Sequence, residues 1–128
     1  MFSINDNHTL LEMALVGTTS HNIEIQVYGK EGNIPHFHFD HVQSKRKGCI
    51  RIDVAEYFDH GDKYKDRLTN KEIKNLILWL KSDKTVFKKF GSNITIYDYI
   101  KILWDDNNPN YPLKEDYKIP DYEQLKNF

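Results

Sequence analysis

IEIQVYGKEGNIPHFHFDH, residues 23–41, decides the fold. Ile23, Ile25 and Val27 alternate with Glu24, Gln26 and Tyr28, the period-two pattern of a strand with one apolar and one polar face. After Gly29 and the turn-forming EGN, the alternation resumes: Phe37 and Phe39 point one way, His36, His38 and Asp40 the other. Pro35 has no N–H to give to a ladder and stands at the first position of the second strand, where that is tolerated. Two strands joined by a short turn read as an antiparallel pair.

Downstream, CIRIDV (49–54) repeats the pattern, with Ile50, Ile52 and Val54 against Cys49, Arg51 and Asp53, after a polar bend containing SKRKG. Upstream, HTLLEMALVG (8–17) carries Leu10, Leu11, Ala14 and Leu15 at helix-compatible spacing, with Asn7 as cap and Gly17 as stop, although a strand fits almost as well. The second half is helical. TNKE (69–72) is a capping box, and Ile73, Leu76, Ile77 and Leu80 follow at spacings of three and four. A shorter helix is expected over DKTVFKKF (83–90), and a third begins at the Thr95/Asp98 cap, carries Tyr97, Ile100, Leu103 and Trp104, and stops near Pro109. Strands followed by helices give an α+β protein: a three-stranded antiparallel meander with helices packed on one face. Residues 1–108 are read as one domain and 109–128 as an extended, tyrosine-rich tail that docks on it.

The 128 residues are one ordinary domain in length, and 39% hydrophobic content can build one core. Eighteen basic residues nearly balance nineteen acidic ones, so the chain lacks the positive field of a dedicated nucleic-acid binder or membrane-surface protein. A lone cysteine, Cys49, excludes an internal disulfide; MFSINDN is unlike a secretory signal; and no apolar run approaches the roughly 20 residues of a bilayer span. The expected compartment is the cytoplasm.

Pairing the apolar faces sets the polar groups against each other. With Val27 opposite Phe37, Tyr28 meets His36, Gln26 meets His38 and Glu24 meets Asp40. With Phe39 opposite Ile52, Asp40 meets Arg51 and His38 meets Asp53. The polar face thus collects Glu24, Tyr28, His36, His38, Asp40, Arg51 and Asp53 as a binding surface. His36 and His38, about 7 Å apart along a strand, could chelate zinc or another divalent metal together with a third ligand from a neighbouring strand, while Asp53 or Glu24 orients a ring. The competing reading assigns no cofactor and treats these groups as cross-strand pairs, Arg51 neutralising Asp40 and Asp53 bonding His38, each contributing about 0.2 to 1 kcal/mol. His36, His38, Asp40 and His41 also spell H-x-H-x-D-H, similar over six positions to the signature of metallo-β-lactamase-like hydrolases, but alternation sends His41 to the apolar side.

With its surroundings, PHFHF (35–39) resembles a small bacterial family of domains of unknown function, number 4160 in that naming series, whose hallmark is a Pro-His-Phe-His strand. The resemblance extends from Ile23 to Trp104 through IRID (50–53) and LILWL (76–80). Here Ile34 stands before Pro35, where the family has a second proline. The resemblance implies an accessory role in toxin–antitoxin or mobile-element modules, with His36, Phe37 and His38 at its centre, and the expected setting is a bacterial or phage one.

AEYFDHGDKYKDRL (55–68) gathers Glu56, Asp59 and His60 in a polar connection, and SKRK (44–47) is a soluble turn that could also grip a phosphate. The expected function is that of an accessory binding protein in a defence or counter-defence setting, with a protein partner and no nucleic acid as main ligand. The alternative is a metal-dependent hydrolase or nuclease centred on His36 and His38.

Overall fold

A computed structural model describes residues 13–83 and 94–127. Four strands, β1 (Met13–Thr18), β2 (Ile23–Tyr28), β3 (His36–His41) and β4 (Arg46–Arg51), form one antiparallel sheet in the order β1-β2-β3-β4. β2 and β3 pair as the alternation requires, with Ile25 opposite Phe39, Gln26 opposite His38 and Glu24 opposite Asp40. Ile23, Ile25, Val27, Phe37, Phe39 and Ile50 are fully buried in the core.

The sheet has one strand more than the sequence suggests. A helix was expected over 8–17; residues 1–12 lie outside the described residues, and Met13–Thr18 is β1. The connection to β2 explains this. Thr19 N–H donates to Ile23 O and Asn22 N–H to Thr19 O (2.9 and 3.0 Å), while the Thr19 hydroxyl accepts from the N–H groups of His21 and Ile23. Asn22 takes the left-handed conformation (φ 62°) that asparagine tolerates in tight hairpin turns. Cross-strand pairing overrides a weak helical period, and Gly17 lies at a bulge in β1 rather than at a helix end.

The second difference is register. Phe39 lies opposite Gly48, four positions before the expected Ile52, and β4 begins at Arg46 rather than Cys49. The bend is short, closed by the His41–Arg46 pair with Lys45 left-handed (φ 58°). Gly48 fits because the Phe39 ring covers it: a Cβ there would lie 2.5 Å from Phe39 Cζ and 2.5 Å from the Asp66 carbonyl oxygen. An even displacement preserves the faces but changes every partner. Asp40 therefore faces Lys47 (4.0 Å), not Arg51; His38 faces Cys49, not Asp53; and Arg51, opposite His36, binds Asp53 through two hydrogen bonds (2.9 and 2.8 Å).

Beyond β4 the chain runs back along its free edge. Arg51 N–H donates to Glu56 O, Phe58 N–H to Cys49 O and Asp66 N–H to Lys47 O, each at 2.9 Å. This connection satisfies an edge that would otherwise offer unpaired backbone groups.

α1 (Asn70–Lys81) starts at the expected capping box, where Thr69 Oγ1 accepts from Glu72 N–H and Glu72 Oε1 accepts from Thr69 N–H. Arg46 grips the same carboxylate bidentately at 2.8 and 2.7 Å, joining the β3–β4 bend to the helix. Ile73, Leu76 and Leu80 are its buried stripe. α2 (Ile96–Asn107) begins at the expected Thr95/Asp98 box and buries Ile96, Tyr97, Ile100 and Trp104. The helix expected over 83–90 falls almost wholly outside the described residues. Both helices and the sheet share one apolar cluster with Tyr122 and Leu125, so the tail docks on its own domain. Tyr122 stands edge-on to Phe37 and donates to Arg51 O at 2.7 Å. The tail ends in a 3-10 helix, Tyr122–Asn127, where an extended strap was expected. Among the described residues no helix is long and apolar enough to cross a membrane.

Two tests follow from this packing. Gly48→Ala is expected to lower stability by about 1–3 kcal/mol through overpacking against Phe39, read from urea unfolding; an unchanged midpoint contradicts the assigned register. The Arg46 guanidinium holds the Glu72 carboxyl down at about 2, against an unfolded value of about 4.3. A depressed folded pKa contributes stability that is present above the unfolded value and lost as pH falls from about 5 towards 2. Arg46→Ala should therefore cost about 1–3 kcal/mol near neutrality and progressively less over that interval; a pH-independent difference contradicts the pairing.

Candidate metal centre

Alternation in β3 brings His36 and His38 to one face, as the sequence predicts, but this face is not a solvent-exposed surface. His36 is 0% exposed and His38 2%. The connection between β4 and α1 closes over them. Phe58 meets the His36 ring edge-on at 4.7 Å, and Tyr64 and Tyr28 both meet His38 edge-on, at 4.7 and 4.5 Å. Trp104 of α2 lies 5.4 Å from His36.

The same connection delivers His60, whose ring lies 5.3 Å from that of His36 and 5.6 Å from that of His38. A turn sets its position: Tyr64 N–H donates to Gly61 O, His60 N–H donates to Tyr64 O, and Gly61 is left-handed (φ 78°). From β4, Cys49 stands opposite His38 with its Sγ 3.5 Å from Nδ1. One donor atom from each of His36, His38, Cys49 and His60 lies within 4.8 Å of every other.

A carboxylate completes the cluster, and it is Glu31, not Asp53 or Glu24. Glu31 Oε1 lies 3.3 Å from His36 Nε2 and 2.5 Å from His38 Nε2, and Oε2 lies 3.4 Å from His60 Nε2. Its backbone is fixed by Asn108 at the end of α2. The Asn108 side-chain oxygen accepts from Glu31 N–H (3.0 Å), and its amide nitrogen donates to Tyr28 O and Trp104 O. Lys30 and Gly32, on either side of Glu31, are both left-handed (φ 57° and 85°).

The electrostatics are those of a largely buried site. Burial pushes the Glu31 carboxyl up, but contact with the His36 and His38 rings overcomes this and holds it at about 2. Burial pulls His38 below the usual imidazole value, with Glu31 opposing, and pushes the Cys49 thiol well above its own. His36 Nδ1 is 2.7 Å from the Ile34 carbonyl oxygen, which places the ring proton there and leaves Nε2 facing the cluster. His60 Nδ1 is buried without a hydrogen-bond partner. Imidazole nitrogen, sulfur and carboxylate oxygen together form the donor set that zinc and neighbouring divalent transition metals take.

Of the residues expected on the polar face, His36, His38 and Tyr28 are brought together. Glu24 accepts instead from Gln26 Nε2, Asp40 turns to Lys47, and Arg51 and Asp53 bind each other. His41 bonds Ser44 and approaches Glu72, away from the cluster, so the six-residue hydrolase-like pattern does not converge. The donors missed were Glu31, Cys49 and His60. Alternation already placed Cys49 on the polar side of its strand. His60 is the only histidine after residue 41 and belongs to a polar loop, which was a signal of a weaker kind. No family model matches the chain, and neither a curated protein nor a solved structure matches it.

Proposed function

We propose that this chain is a metal-binding protein, holding one divalent ion of the zinc class on His36, His38, His60 and Cys49. The observation that carries the reading is that donors from three separate segments, β3, β4 and the following connection, lie within 4.8 Å of one another. Tetrahedral zinc with its usual bond lengths sets donor-to-donor edges of roughly 3.4 to 3.6 Å. The donors are thus about an ångström from closure, and His60 stands on a loop rather than on a strand of the sheet. The backbone carbonyl on His36 Nδ1 is the type of outer partner that fixes the tautomer of a metal-bound histidine.

Four protein donors, three of them buried, describe a closed site rather than one with a vacant position for substrate. In this reading the ion fastens the connection over the sheet, and its binding energy becomes folding energy. The protein's work is then recognition: an accessory binding domain acting on a protein partner in the cytoplasm, the role that the Pro-His-Phe-His resemblance implies for toxin–antitoxin and mobile-element modules. One observation favours the hydrolase or nuclease alternative, namely that the His60 side chain is 36% exposed, which gives the ion one side towards water.

Purified protein is expected to carry one zinc per chain by elemental analysis, and His38→Ala and His60→Ala to carry far less. Stripping the metal with a chelator should lower the melting temperature by about 10 °C, as for a ligand present well above its dissociation constant. Protein that is metal-free and equally stable with or without added zinc contradicts the proposal. Zinc-loaded protein that cleaves a phosphodiester, with the activity lost in His38→Ala, would favour the hydrolytic alternative over the binding role.

A further inference from the structure

We propose that Glu31 is itself a fifth ligand of the ion, an oxygen donor supplied by the loop between β2 and β3 that makes the shell five-coordinate. This rests on the metal-binding reading above and names a donor that reading does not require.

Three arguments support it. The first is lone-pair accounting. The Ile34 carbonyl at 2.7 Å places the proton of neutral His36 on Nδ1, so Nε2 presents a lone pair to Glu31 Oε1 at 3.3 Å, in a place where His36 is 0% exposed. Two facing acceptors away from water are stable only with a cation beside them, either a second proton or a metal ion. A metal ion would serve Nε2 of His36 and Nε2 of His60 together, both of which face Glu31.

The second argument is geometric. The Glu31 oxygens lie 3.3 and 3.4 Å from Nε2 of His36 and His60. Neighbouring nitrogen and oxygen ligands of one ion, at bond lengths of about 2.0–2.2 Å, are separated by roughly 2.9–3.4 Å. Those two contacts are already of ligand-edge length. The third contact, to His38 at 2.5 Å, is a charge-assisted hydrogen bond whose proton the ion would displace.

The third argument is charge. Three neutral imidazoles and one thiolate around a divalent ion leave one positive charge in a buried site, which is costly to leave uncompensated. The Glu31 carboxylate cancels it. The backbone that carries this side chain is also held in place, because Asn108 clamps the Glu31 N–H and the flanking residues adopt left-handed conformations, one of them a lysine, for which that region is uncommon.

Glu31→Gln tests the proposal, since it keeps the size and most hydrogen bonds but removes the charge and the strong oxygen donor. The probes are zinc affinity, by competition with a chelating dye, and the visible bands of the cobalt-substituted protein; circular dichroism reports folding. Loss of an outer carboxylate costs about 10–100-fold in affinity. The expected result is a loss of more than about a hundredfold together with altered cobalt ligand-field bands, while the thiolate-to-cobalt charge-transfer band from Cys49 persists. A smaller loss with unchanged bands makes Glu31 an outer partner and overturns the inference, while wild-type metal binding keeps the reading beneath it intact. Wild-type protein that takes up no zinc ends both. If the variant does not fold, cadmium NMR of the wild type decides: a resonance displaced towards oxygen-containing sites supports Glu31, and one at the position of nitrogen and sulfur shells alone overturns it.

Discussion

β3 is covered on both sides, and the rest of the structure answers that constraint. Phe37 and Phe39 fill the core on one face, which apolar packing alone satisfies. His36 and His38 are equally buried on the other, and imidazoles removed from water must find partners or raise the free energy of the fold. The loop before β3 supplies Glu31, β4 supplies Cys49, and the long connection after β4 supplies His60. Three parts of the chain far apart in sequence meet at one point because one strand buries its polar side.

This explains the shape of the connection between β4 and α1. A stretch rich in charged residues would ordinarily be solvated, yet it pairs with the edge of β4 at three backbone positions and turns Phe58, His60 and Tyr64 inward over the histidines. Arg67 and Asp59 pair on its outer side at 2.8 Å, so the segment has an inner and an outer surface like a strand of the sheet it covers. A metal ion bound beneath it would tie this segment to β3 and β4 through side chains as well as backbone.

Much of the fold was legible in local pattern. Alternation located β2 and β3 and their register, and Thr69/Glu72 and Thr95/Asp98 marked both helix starts, because these signals depend on neighbours within four residues. What was not legible depends on remote contacts. β1 looks helical until the Thr19–Asn22 turn pairs it with β2, and the place of Phe39 on β4 is set by the space above Gly48. The site divides in the same way. His36 and His38 share a face by strand geometry alone, whereas Glu31 and His60 arrive through left-handed turns whose direction no period encodes. Asp53 and Glu24 were reasonable carboxylates to expect beside the histidines, and the shifted register removed the first while Gln26 engaged the second.

The central claim is that imidazoles and a thiolate converge on a metal ion, and X-ray absorption at the zinc edge of protein purified without chelator addresses it most directly. The account predicts a shell of histidine nitrogens, with the outer scattering of their rings, and one sulfur that disappears in Cys49→Ser. Protein with no zinc edge, or zinc surrounded by oxygen alone, would contradict it.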